Sequence, residues 1–196
     1  MTPSQRNEPV ARGLSAEPDF RNWARACEAE TFRFEDDGII PNHPQWPLIL
    51  YEGAVGLLPE FDPAAVFERL FESQGWGRAW RNGVYPFAHY HSGVHEALGV
   101  ARGSAEIRFG GASGRVVSIK AGDVAILPAG TGHQRVSASL DFLVVGAYPP
   151  EGAYDLCRTA GDREIALPAI LRVGPPHQDP VFGEKGALMR LWAPRS

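Results

Sequence analysis

The stretch GVYPFAHYHSGVHEALGVARG, Gly83 to Gly103, and the stretch GDVAILPAGTGHQRVS, Gly122 to Ser137, carry the reading of this chain. Between residues 83 and 148 apolar and polar residues alternate in short runs: VYPFAHYH, HEALGVA, SAEIRFG, RVVSIKA, DVAILPA, HQRVSAS and DFLVVGAYP. Gly-containing turns such as Ser92-Gly93, Gly110-Gly111 and Gly130-Thr131-Gly132 separate them. A period of two with regular turn punctuation predicts a barrel or sandwich of short strands.

Within this region four of the six histidines lie between positions 89 and 133. Residues two apart on a strand share a face, so His89 and His91 project into one space. Glu96 follows the Ser92-Gly93 turn and can return a carboxylate to them. His133 follows the PAGTG turn. Imidazole and carboxylate suit Fe, Mn, Ni, Cu or Zn, and the residues alone do not choose among these metals.

The spacing Gly83-(x5)-His89-x-His91-(x4)-Glu96-(x6)-Gly103 resembles the first motif of the cupin superfamily. Gly122-(x5)-Pro128-x-Gly130-(x2)-His133-(x3)-Ser137 resembles the second, departing only at Ser137, where the family carries Asn. The wider pattern, HYHSGVHE followed by LPAGTGH and VVGAYP, is similar to small bacterial cupins of the YjlB type. The resemblance implies a mainly β double-stranded β-helix, a cupin jelly-roll barrel, over residues 79–150. It implies one divalent transition metal held by His89, His91, Glu96 and His133. It also implies metal-dependent oxygenation or isomerisation of a small polar or anionic molecule, as in a dioxygenase or isomerase. The alternative is a non-catalytic sensing or binding module using the same pocket.

Strand parity nominates neighbours of the metal. Tyr85 and Phe87 share the parity of His89 and His91, which puts them along a cavity or in the barrel core. His95 faces the opposite side on a regular strand, and only a bulge brings it inward. Arg135 shares the parity of His133; there it grips a substrate carboxylate or pairs with an acid at the mouth. Leu98, Val100, Ile107 and Phe109 are expected to fill the barrel.

Outside the barrel, residues 1–14 read as a mobile arm, 15–78 as a helical and short-strand extension packed on the barrel, and 151–196 as a wrapping tail. An amphipathic helix is expected at 18–29, with Cys27 on its inner side, and strands at 31–34 and 48–51. A second helix is expected at 63–74, with Asp62 as N-cap, Pro63 in the first turn and Val66, Phe67, Leu70 and Phe71 as its apolar stripe. Leu188 to Trp192 reads as an edge strand. His43 and His177 lie in Pro-rich segments and read as surface residues.

Composition narrows the function classes. The chain has 196 residues, 19 Lys and Arg against 23 Asp and Glu, and a net charge of −4. That balance argues against a nucleic-acid partner. No apolar run is long enough to span a bilayer, so no membrane role is expected. The N-terminal residues lack an apolar core of a secretory signal, and two isolated cysteines form no disulfide framework; a cytoplasmic location is expected. The expected partners are a small-molecule ligand and a second copy of the chain, because an open jelly roll leaves strand edges and homodimers are the commonest closed assembly.

Overall fold

The computed structural model describes residues 23–193. The expected arm at 1–14 lies outside them. All strand pairings are antiparallel, and they form two sheets. The larger sheet has six strands in the order β1 (Ala29–Phe32), β2 (Leu48–Tyr51), β7 (Val124–Leu127), β4 (Glu96–Arg102), β9 (Leu143–Tyr148), β3 (Gly77–Asn82). The smaller has three, β6 (Arg115–Lys120), β5 (Ser104–Phe109) and β8 (His133–Ala138). Sheets of this arrangement, facing one another across an apolar interior, form the double-stranded β-helix expected from the motifs.

The interior is filled from both sheets by Leu48, Leu50, Leu98, Val100, Ala105, Ile107, Phe109, Ala125, Leu127 and Val144, all buried. The four barrel-filling residues nominated from the sequence are among them. Residues of opposite parity on the larger sheet, including Ile49, Tyr51, Ala97, Val124, Ile126, Val145 and Ala147, form a second apolar cluster with α1 (Pro63–Ser73) and with Val181, Leu188 and Trp192 of the C-terminal segment. Covering both faces explains why β2 (LILY) and β7 (VAIL) are continuous apolar runs with every residue buried. The helix starts as expected: Asp62 accepts from the Ala64 amide at 3.2 Å, and Val66, Phe67, Leu70 and Phe71 are buried.

Several expectations are corrected. The run VYPFAHYH is not a strand; residues 83–95 form an irregular connection held by isolated bridges His89–His133 and Tyr90–Cys157. Pro86 has no N–H to offer a ladder, and Ser92-Gly93 turns the chain before Glu96. The expected helix at 18–29 lies partly outside the described residues, and its described end is extended: Ala24 bridges Val55, and β1 begins at Ala29. Residues 187–191 form a short helix, α3 (Ala187–Leu191), in place of the expected edge strand: Leu188 and Trp192, four residues apart, are both buried, a helical spacing, and the Trp192 indole donates to the Pro47 carbonyl at 2.9 Å. The tail also holds α2 (Ala160–Ile170), closed by a Thr159–Asp162 capping box. It was illegible because only Ala166 and Ile170 are buried, and Pro168 interrupts the pattern. His43 is buried rather than on the surface: it stacks on Trp46 at 4.4 Å, and its Nδ1 accepts from the Trp46 amide at 2.9 Å. His177 is exposed, as expected. No helix among the described residues is long and apolar enough to cross a membrane.

Candidate metal centre

The chemistry-bearing residues gather at one mouth of the barrel because each sits at the start of a strand or in the connection leading into one. Glu96 opens β4 and His133 opens β8. His89 and His91 lie in the connection before β4 and are tied to this end by the mutual backbone pairing of His89 with His133, at 3.2 and 2.9 Å. Glu96 shares the inward parity of Leu98 and Val100.

The three imidazoles are buried, and one ring nitrogen of each lies within 4.8 Å of those of the other two. Their orientation follows from backbone acceptors. His89 Nδ1 faces the Phe87 carbonyl at 3.1 Å, His133 Nδ1 faces the Thr131 carbonyl at 3.2 Å, and His91 Nδ1 faces the Asp155 carbonyl. A carbonyl only accepts, so each Nδ1 carries a proton and each ring turns its Nε2 into the shared space. Glu96 Oε2 reaches into the same space, 3.5 Å from His91 Nε2 and 3.3 Å from His133 Nε2. That oxygen is buried and has no hydrogen-bond partner of acceptable geometry.

Lone pairs of buried imidazoles and a carboxylate oxygen therefore face one another. Burial drives the His89 pKa down to about 3, with His133 adding to the effect, so His89 is neutral. Burial also opposes charge on His91 and Glu96, yet Glu96 outweighs that penalty for His91, and His91 together with His133 outweighs it for Glu96: the His91 pKa is raised and that of Glu96 lowered. Such a donor set is neutralised by a proton shared across it or by a cation at its centre. The orphaned Glu96 oxygen and the three Nε2 atoms fit a divalent ion in ligand type and in convergence.

Above this cluster opens a cavity of about 380 Å³. Of the neighbours nominated from the sequence, Tyr85 lines it. Phe87 does not: it stacks behind Tyr85 at 4.8 Å, and the Arg158 guanidinium lies 3.8 Å from its ring centre. His95 is also corrected. It keeps regular outward parity and is buried on the far side of the sheet between Trp46 and Trp192. There its Nδ1 accepts from the Ala129 amide and its Nε2 donates to the Gly174 carbonyl, both at 2.9 Å. Arg135 stands beside Gly83 at the rim, outside the cavity wall, with its backbone N–H on the Tyr85 carbonyl at 2.9 Å. A register shift between Glu106 and Ile107 along β5 doubles the opposing residues on β8, so Ser137 no longer follows the parity of His133 and is exposed.

The remaining wall was missed. Trp80 comes from β3, Tyr148 from the inward end of β9 and Tyr154 from the connection after it. Trp80 Nε1 donates to Tyr148 Oη at 2.8 Å. A Cβ at Gly146 would lie 2.1 Å from that indole, so only glycine lets Trp80 cross β9 here. The inward parity of Tyr148 was readable from Val144; nothing local pointed to Tyr154. Its segment is tied down by Asp155, whose carboxylate accepts from the Ser92 amide at 2.7 Å and from the Ser92 hydroxyl. Cys157 lies behind this anchor. Burial and the Asp155 carboxylate push its pKa up to about 12, leaving an inert thiol.

No protein-family model matches the chain. It is 39% identical over 166 residues to the uncharacterized protein YjlB of Bacillus subtilis (strain 168), covering 84% of this chain and 97% of that one. The chain belongs to the YjlB family. Among solved structures, an uncharacterized protein with a double-stranded β-helix domain from Klebsiella pneumoniae aligns over 80% of this YjlB-family chain and 98% of its own, at 17% identity and a TM-score of 0.34. An acireductone dioxygenase from Bacillus anthracis, with cadmium in its active centre, aligns over 49% of this chain and 68% of its own, at 18% identity and a TM-score of 0.33. Likeness at that level carries nothing about the function of the YjlB family, which rests on the site itself.

Proposed function

We propose that this chain is a metalloprotein in which His89, His91, Glu96 and His133 hold one divalent transition metal. The cavity above them admits a small polar or anionic molecule for metal-dependent oxygenation or isomerisation. One observation carries the reading: a buried carboxylate oxygen without a hydrogen-bond partner converges with buried imidazole nitrogens at the floor of an accessible cavity. When bound, a divalent ion supplies Lewis-acid polarisation and, with a redox-active metal, electron transfer.

The chain's own residues supply orientation and shielding. Backbone carbonyls fix the imidazole rings, and the Glu96 carboxylate offsets part of the metal charge. Tyr148 spends an acceptor site on Trp80, which leaves its hydroxyl proton for Glu96 or a ligand. Burial first, and then the negative charge of Glu96, raise the Tyr148 pKa, so it is a hydrogen-bond donor at neutral pH.

A second reading, a non-catalytic binding module, is favoured by one feature. Among the described residues lining the cavity, no carboxylic acid and no imidazole exists beyond the proposed ligands, so a dedicated general acid or base would have to be Tyr148 or the ligand itself.

Elemental analysis of protein purified without added metal tests the first claim. About one transition metal per chain, lost in His91→Ala, is the expected result. Metal-free protein whose melting temperature does not respond to added Mn, Fe, Ni, Cu or Zn would overturn it. Binding heat without turnover under every metal would leave the module reading.

A further inference from the structure

Rings dominate the walls of the cavity. Tyr148 and Tyr154 meet edge to face at 5.8 Å, and the Tyr154 ring leans on His91 with 4.7 Å between centres. Across the opening, Tyr85 stands edge to face with His89 at 5.1 Å and is braced from behind by Phe87. Tyr85 and Tyr154 are 42% and 50% exposed, so each shows open ring surface at the mouth. Large aromatic surface left in contact with water beside a formed cavity is unusual unless something covers it.

The charge available to a ligand is equally restricted. Arg81 is the one cationic side chain among the described residues of the wall. Its guanidinium is already occupied by Glu68, through Nε at 2.6 Å and Nη2 at 2.7 Å, and by Asp62, through Nη1 at 2.7 Å. It cannot also clamp a carboxylate or phosphate without breaking a bidentate pair. Polar side-chain groups that would read a sugar are scarce. The Trp80 indole N–H is used by Tyr148, and the Asn82 carbonyl accepts from the adjacent Gly83 amide at 2.8 Å. The tyrosine hydroxyls and the Asn82 side-chain NH2 are what is left. The volume, about 380 Å³, sits at the low end of the ~300–1,000 Å³ range of small-molecule pockets.

We infer that the cavity is built for a small, planar, unsaturated molecule that is neutral or carries a single negative charge, such as a phenol or an enol, inserted with its ring face against Tyr154. The inference rests on the cavity being the ligand site of the function proposed above, and it depends on the walls rather than on the floor. A dianion gains nothing from a saturated Arg81, and a saturated, hydroxyl-rich ring leaves the aromatic faces poorly matched.

The test is calorimetric titration of the full chain, both as purified and after stripping with a chelator, using tropolone, 4-nitrophenol, malonate, glucose and glucose 6-phosphate. The planar probes should bind at least about tenfold tighter than the aliphatic and sugar probes in the stripped protein. Tyr154→Ala should weaken the planar probes by about 3- to 10-fold, Tyr154→Phe should leave them nearly unchanged, and neither should alter malonate. Tyr154 is half exposed in an irregular segment, so its truncation leaves the barrel interior intact. Tighter binding of malonate, glucose or glucose 6-phosphate, no binding of any planar probe, or planar binding indifferent to Tyr154→Ala would overturn the inference. The stripped protein separates this from the metal: a planar preference in protein that never held metal sustains the inference while the metal reading falls, and metal without that preference does the reverse.

Discussion

The ring Nδ1 of His91 donates to the main-chain carbonyl of Asp155, 64 residues further along the chain. The contact does two things at once. It fixes the His91 tautomer with Nε2 turned to Glu96, and it ties the segment bearing Tyr154 to the floor of the cavity. The Asp155 carboxylate completes the tie by capping the Ser92 and Gly93 amides at 2.7 and 3.4 Å. Orientation of one proposed ligand is thus coupled to the wall above it.

Asp155→Ala should therefore weaken metal binding without removing a ligand. Loss of a group that orients a ligand typically costs about 10- to 100-fold in affinity. Competition against a fluorescent chelator measures the change. Asp155→Asn, which keeps a side-chain acceptor for the Ser92 amide, should recover much of it; equal losses in both variants would show that the negative charge, not the cap, matters.

Bound metal should stabilise the fold. An ion that binds only the native state adds RT ln(1 + [L]/Kd), about 4 kcal/mol at a thousandfold excess over Kd. Thermal unfolding with and without chelator should show a lower midpoint for the stripped wild type and no chelator effect on Glu96→Ala/His133→Ala.

Gly146→Ala should damage the cavity from the sheet side. The new methyl would sit 2.1 Å from the Trp80 indole, which must move and surrender its 2.8 Å contact with Tyr148. Overpacking of this kind costs about 1–3 kcal/mol. Urea unfolding followed by tryptophan fluorescence reads both the stability loss and the changed indole environment.

Acid should destabilise the protein through His43. Burial, helped by the nearby His95 and Arg33, lowers its pKa from 6.5 to about 4. Between those values the unfolded chain binds the proton and the folded one does not, so stability is intact above pH ~6.5 and falls as pH drops towards ~4, by up to about 1.4 kcal/mol per pH unit. Protonation of Nδ1 would also break its contacts with the Trp46 and Gln45 amides, at 2.9 and 3.2 Å. His43→Asn, with an acceptor and no titration, should show a flatter acid limb in urea midpoints measured from pH 7 to 4.

A homodimer is expected in solution. Val116 and Val136 on the outer strands of the smaller sheet are 42% and 51% exposed, and β6 leaves an open edge there. Sedimentation equilibrium at micromolar protein should give twice 21.3 kDa; a mass of one chain would exclude it.

Much of the barrel was legible in the amino-acid sequence because strand parity and turn chemistry are local. Alternation placed Leu98, Val100, Ile107 and Phe109 inside, Asp62-Pro63 marked the start of α1, and the spacing of His89, His91, Glu96 and His133 announced a common site. Those features depend on neighbours within one strand or one helical turn. What the tertiary structure decided depends on chain segments far apart. Parity put His95 on the face opposite Glu96 unless a bulge turned it inward; no local signal excluded the bulge, and it is Trp46, Trp192 and the Gly174 carbonyl that hold it on the opposite face. Phe87 had the right parity on a strand that Pro86 prevents from forming. Tyr154 and Asp155 belong to a segment with no period of its own, brought to the mouth by a carbonyl and a carboxylate that find their partners at His91 and Ser92. Sequence periodicity reports which way a side chain points along its own element; which distant group it meets is set by how the sheets close, and a contact across 64 residues leaves no local trace.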